Sequence, residues 1–127
     1  MSMTIYHFCA AKHVKQILRH GLTIGAIAEP THAGFILHHG WMWLTLDPDP
    51  KNQSWATRNA IKYSRTAWRL TIEIPDDELH NLYGRVGICA IYPACDMLFR
   101  GFPGSENWRV FHGTIPKKWI IEAKRTN

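Results

Sequence analysis

The sequence predicts an α+β domain: a compact, mostly antiparallel β-sheet, split or mixed, carrying a few short helices. Three observations point there. Strand-like runs outnumber helix-like ones and do not follow the regular βαβ alternation that builds a parallel doubly wound sheet. The cleanest run, A-W-R-L-T-I-E-I-P at 67–75, alternates strictly, with Trp68, Leu70, Ile72 and Ile74 on one face, the period of a half-buried strand. The length, 127 residues, suffices for one domain with one core and is too short for two.

T-I-Y-H-F-C, residues 4–9, opens the chain as a strand, with Ile5 and His7 on one face and Tyr6 and Phe8 on the other. Residues 10–20 follow as a helix. Val14, Ile17 and Leu18 form its apolar stripe and Gly21 is its C-terminal stop. Leu22 to Ile27 reads as a short extended piece, and Glu29 to Gly40, rich in His and Gly, as a loop. W-M-W-L-T-L-D, residues 41–47, is a strand broken by D-P-D-P, since each proline disfavours helix in the residue before it. A helix is expected at 53–63. After the strand at 67–75, D-D-E-L-H-N-L-Y (76–83) reads as a helical turn with acids at its positive end. V-G-I-C-A-I-Y fits either class, and P-A-C-D-M-L-F reads as a short helix with Pro93 in its first turn. W-R-V-F-H (108–112) is a strand, and I-P-K-K-W-I-I-E-A-K closes the fold with a turn and a last strand.

With 46% hydrophobic and 20% charged residues the chain is expected to be ordered. No apolar run reaches the roughly 20 residues of a membrane span, and the start, M-S-M-T-I-Y-H-F, lacks the basic and apolar blocks of a signal peptide. Cys9, Cys89 and Cys95 form no Cys-x-x-Cys pair, which fits reduced thiols in a cytoplasmic setting. The net charge of +5 suits attraction to nucleic acid or an anionic nucleotide, and equally suits plain solubility. No Gly-x-Gly-x-x-Gly, phosphate loop or His-Glu-x-x-His is present. His32, His38 and His39 cluster, but no acid lies among them and adjacent side chains of an extended run point opposite ways, so no metal site is expected. Cys9 shares a strand face with His7 without an orienting acid, and reads as a buried structural cysteine rather than a nucleophile.

Three separated segments stand out. The first is Y-H-F-C-A-A-K-H-V-K-Q-I-L-R-H-G-L from Tyr6. The second is W-M-W-L-T-L-D, followed by a polar loop and Q-S-W-A. The third is G-S-E-N-W-R-V-F-H-G-T-I-P, in which Glu106 stands where a loop becomes a strand. Together they resemble the ADP-ribosyltransferase superfamily, in its diphtheria-toxin-like branch. The opening is similar to the family's first motif, W-L-T-L-D to its second, and the segment around Glu106 to the end of the DNA-targeting ADP-ribosyltransferase toxins. The RNA 2'-phosphotransferases share the fold and a similar opening. The likeness covers most of the chain as scattered short motifs. The chain is shorter than most of the family's enzymes, which suits either a minimal enzyme or a binding-only copy.

The resemblance implies an ADP-ribosyltransferase-like domain over residues 1–127, with NAD as substrate in a cleft between two halves of a split sheet. It implies that His7, beside Tyr6, binds a ribose of NAD and that Glu106 is the catalytic acid. The family's nicotinamide-stacking tyrosine corresponds to Trp43 or to Tyr63, and Thr45 can add a hydroxyl. Each position has a chemical reason. Loss of nicotinamide builds positive charge on the ribose, which a carboxylate stabilises. A neutral histidine holds a ribose hydroxyl, and an indole offers a flat stacking surface. Arg58, Lys12 and Arg19 are candidates for the pyrophosphate. The acceptor implied is a macromolecule, nucleic acid or protein, and so small a unit fits a bacterial or phage toxin or counter-defence protein. Other readings of the same residues stay open. His7 suits a satisfied core histidine, Trp43 core packing, and Ser54 a helix cap. Glu73, Glu122 and Glu29 are the rival acids. A non-enzymatic, basic, tryptophan-rich module binding nucleic acid or protein is the alternative function. A further one is RNA 2'-phosphate transfer, served by Arg19, Arg58 and Arg65.

Overall fold

The structure is a computed structural model describing residues 1–53, 65–84 and 105–126. Over these the chain runs β1 (Ser2–Cys9), α1 (Ala11–His20), β2 (Ala26–Thr31), β3 (Gly34–His39), β4 (Trp41–Thr45), β5 (Trp68–Pro75), β6 (Leu82–Gly84), β7 (Trp108–His112) and β8 (Ile120–Arg125). Short 3-10 turns lie at Pro50–Asn52, Asp76–Asn81, Ser105–Asn107 and Lys117–Trp119. Six strands form one sheet in the order β6-β7-β4-β1-β5-β8, with antiparallel pairing at each junction, and β2 and β3 form a separate hairpin. The protein is therefore α+β with an antiparallel sheet and few helices.

The sheet is continuous, but unevenly joined. β1 pairs with β5 along its whole length, from Ser2↔Pro75 to Cys9↔Trp68, and β4 pairs with β7 from Trp41↔His112 to Thr45↔Trp108. Between β1 and β4 the only registered pair is Tyr6↔Thr45. Two three-stranded halves, β6-β7-β4 and β1-β5-β8, thus meet at a single rung.

Alternation decides the faces. Ile5, Ile72, Ile74, Met42, Leu44 and Phe111 lie on one face and build the main core with Leu22 and Ile115. Fully burying each such side chain contributes about 1.5–3 kcal/mol. On the same face α1 lays Val14 against Cys9 and Leu70, with Ile17 beside them. Leu18, read as part of the apolar stripe, points to solvent at 44% exposure, because Ile17 takes the place next to Val14. The reading of β5 as open on one side also needs correction at its centre: Thr71, on the far face from Ile72, is buried too.

The expected loop from Glu29 to Gly40 is instead the β2–β3 hairpin, paired from Ala26↔His39 to Thr31↔Gly34. Pro30 is compatible with this ladder because in a two-stranded hairpin both strands are edges. The strand expected at 41–47 ends at Thr45, where the Asp47 N–H turns back to donate to Thr45 Oγ1 at 3.1 Å. The helical turn expected at 76–83 is a 3-10 turn to Asn81 followed by β6. The helices expected at 53–63 and 93–99 fall outside the described residues, apart from Gln53.

Gly21 fixes how α1 leaves the sheet. Its N–H closes the helix on the Ile17 carbonyl at 2.7 Å, and its φ of 83° with an extended ψ is a conformation open to glycine. Leu22 then exchanges both backbone hydrogen bonds with Ile115, at 2.9 and 3.0 Å. A Cβ at position 21 would run into the Ile115 carbonyl and sit 2.9 Å from the Lys117 nitrogen. Gly21→Ala is therefore expected to destabilise the fold by about 2 kcal/mol or more, through backbone strain and this clash. A denaturant midpoint unchanged from wild type would overturn that account.

Candidate functional site

Tyr6, His7, Trp43 and Thr45 lie near the rung between the sheet halves, His7 on the core face with Ile5 and the other three on the opposite face. Tyr6 and Thr45 form this rung, and Thr45 pairs onward with Trp108, so the three residues run in line across β1, β4 and β7. One residue further along β1, the backbone ladder to β4 gives way to a side chain. His7 Nδ1 lies 2.7 Å from the Trp43 carbonyl oxygen. A carbonyl only accepts, so Nδ1 carries the proton and donates, and Nε2 is left as an acceptor. His7 keeps part of its surface in solvent. Desolvation nonetheless holds its pKa below the usual 6.5, nearby His13 adds to this, and the bond to Trp43 opposes it. The ring is neutral at pH 7 and of defined tautomer.

Trp43 and His7 meet through this carbonyl rather than ring to ring. Met42 and Leu44 point into the core beside Ile5, so alternation sends the half-buried Trp43 side chain to the opposite face, with Tyr6 and Thr45. Thr45 is buried, and its hydroxyl oxygen is engaged by the Asp47 N–H. Tyr6 carries the Arg69 guanidinium 5.4 Å from its ring centroid. At the other end of β4, Trp41 stacks on His112 at 4.5 Å and packs against Tyr83 at 5.5 Å.

Glu106 lies in the 3-10 turn Ser105–Asn107, immediately before β7 and two residues before Trp108, the partner of Thr45. At about 4.8 Å between strands, β7 lies roughly 10 Å from β1 across the sheet. Asn107 ties the turn to β4 by accepting from the Leu46 N–H at 2.8 Å. Arg109 ties it from below, with NH1 donating to the carbonyls of both Glu106 and Trp108 at 2.8 Å. The exposed Glu106 carboxylate makes no hydrogen bond or ion pair among the described residues. The rival acids differ. Glu73 accepts from the hydroxyls of Ser2 and Thr4 at 2.5 and 2.6 Å, bonds that pull its pKa down. Glu122 accepts from Thr71 and lies 3.8 Å from Arg69. Arg109→Ala should free the turn and reduce any Glu106-dependent turnover by about tenfold, the scale of a small misplacement of a catalytic group. Wild-type turnover in this variant would show that the two carbonyl bonds do not position Glu106.

Tyr63 and Arg58 lie outside the described residues. Lys12 and Arg19 are on the outer face of α1. A cation that sequence reading missed is Arg69. It follows Trp68 in β5, donates to the Pro48 carbonyl at 3.0 Å and keeps its Nε buried with no hydrogen-bond partner among the described residues. The alternating W-R-L-T-I-E-I run did place it on the face away from the core, and that signal could have singled it out. Pro48 belongs to the loop after β4, where Asp47 and Asp49 accept from Asn52 and Lys51 and the buried Gln53 donates to the carbonyls of both. Cys9 is buried and its thiol is pushed up to about 11, so it is no thiolate at neutral pH. Among the described residues no three His, Cys, Asp or Glu side chains gather as a metal would require, and no helix is long and apolar enough to cross a membrane. Comparison of the chain with protein-family models, curated proteins and solved structures found no match.

Proposed function

We propose that the protein is an NAD-dependent ADP-ribosyltransferase with an ADP-ribosyltransferase-like fold, acting on a macromolecular acceptor. The observation that supports it most is His7: a neutral imidazole set at the single-rung joint of the sheet, its Nδ1–H committed to Trp43 and its Nε2 left to accept. That is the form needed to take a hydrogen bond from a ribose hydroxyl. Glu106, just before β7 and with a carboxylate that makes no hydrogen bond or ion pair among the described residues, is the group that would stabilise the charge that builds on the ribose. In the reaction the bond between ribose C1' and the nicotinamide nitrogen breaks, and its electron pair leaves with nicotinamide. A nucleophile of the acceptor bonds to C1' and gives up its proton. Trp43, Tyr6 and Arg69 lie on the face of the sheet opposite His7, so they lend no contact to the ligand that His7 would hold.

The test is nicotinamide release from NAD incubated with the protein and with DNA, RNA or protein acceptors, beside NAD binding by calorimetry. Release is the expected result. Neither release nor binding would defeat the proposal. Among the described tryptophans, Trp41 and Trp108 are buried and so offer no stacking surface to the alternative reading of a tryptophan-rich binding module.

A further inference from the structure

We infer that the solvent face of α1, extended by the turn Lys117–Trp119, is a docking surface for the phosphate backbone of nucleic acid. It deepens the reading above by naming the acceptor class, but it rests on separate residues.

α1 carries Lys12, His13, Lys15, Arg19 and His20 and no acid. Lys12, Lys15 and Arg19 are three and four residues apart, so they lie along one face of the helix. All three are exposed, and with Gln16 and His20 they line a shallow depression of about 440 Å³. Helix rise puts roughly 10 Å between Lys12 and Arg19. Beyond Arg19 the row does not stop. Gly21 packs so tightly on the Ile115–Lys117 backbone that the next turn, with exposed Lys117 and Lys118, is set against the end of α1. Five lysine and arginine side chains are thus brought into one tract by two segments nearly a hundred residues apart.

Charge is also segregated across the sheet. α1 covers the face of Cys9 and Leu70. Glu73 and Glu122 alternate to the other face, where Ser2, Thr4, Thr71 and Arg69 hold them. The acids of the turn Asp76–Asn81 follow the far end of β5. A cationic row of this length meets about three phosphates of a strand, at roughly 3.4 Å each along a duplex. Its flexible, solvated lysines suit backbone contact rather than base reading. The arrangement therefore fits binding indifferent to sequence and sensitive to salt.

The experiment titrates the full chain, without NAD, into fluorescein-labelled oligonucleotides of about 20 nucleotides between about 50 and 200 mM salt, with single-stranded DNA, duplex DNA and single-stranded RNA as separate arms. Wild type is compared with the triple variant Lys12→Gln, Lys15→Gln, Arg19→Gln. A charge-matched control, Lys51→Gln, Lys124→Gln, Arg125→Gln, is run alongside. Circular dichroism verifies that each variant is folded. The α1 variant is expected to bind at least tenfold more weakly, and to lose about two to three units of salt slope in the duplex arm. The control variant should keep most of the affinity. No binding in any arm by wild type, or equal loss in the two variants, would overturn the proposal. Because no NAD is present, neither result bears on nicotinamide release, so the two readings fail separately.

Discussion

Glu106→Gln is expected to cut nicotinamide release by about 10²- to 10³-fold, the scale on which removal of one preorganised electrostatic group slows a reaction that develops charge. The substitution keeps shape and removes the negative charge, so NAD binding should change little while turnover collapses. Because the side chain is exposed and makes no hydrogen bond or ion pair among the described residues, the melting temperature should stay close to wild type, within about 0.5 kcal/mol of stability. Initial rates by chromatography of nicotinamide, beside a thermal melt, separate the two effects. A variant that turns over NAD as fast as wild type would remove Glu106 from the chemistry.

His7→Ala should do two things at once. It removes the proposed ribose contact, for which an NAD dissociation constant at least tenfold higher is expected, the value of one good hydrogen bond. It also removes the donor to the Trp43 carbonyl at the joint of the sheet halves, at a cost of about 1–3 kcal/mol. The pH dependence follows from the depressed pKa. Below 6.5 the unfolded chain binds a proton at position 7 that the folded protein, with its pKa held lower, does not yet accept. Stability from this residue is thus complete above 6.5 and is lost as pH falls toward the folded-state value. Wild type should show this loss, and the difference between wild type and His7→Ala should shrink as pH is lowered from 7 toward 5. A difference constant with pH would contradict an imidazole held neutral by the fold.

Much of the framework could be read from residue order. The alternation of Trp68, Leu70, Ile72 and Ile74, and the Val14–Ile17 stripe ending at Gly21, are local signals, and β5 and α1 follow them. The hairpin β2–β3 was missed because Gly34 and Pro30 read as loop formers, while the ladder that overrides them depends on pairing between strands. The same holds at the site. His7 was visible as part of a motif, but its tautomer is set by a carbonyl 36 residues away. Arg69 was hidden because its partners, Tyr6, Pro48 and Glu122, come from three distant segments. The basic tract was legible only in halves, since Lys117 and Lys118 reach α1 through the contact of Gly21 with Ile115.

The lone rung between β1 and β4 has a mechanical consequence. Hydrogen bonding makes it the weakest line across the sheet, yet the chain crosses that line four times, from β1 to β4, β4 to β5, β5 to β6 and β7 to β8. The two halves are laced together covalently where they are barely stitched by hydrogen bonds. Such a seam can gape by a few ångströms without either half losing its own ladders, but it cannot swing wide like two domains on one hinge. The lacing also means that β6-β7-β4 must wait for β7 and β1-β5-β8 for β8, so folding depends on contacts between distant parts of the chain and is correspondingly slow for a protein of this size.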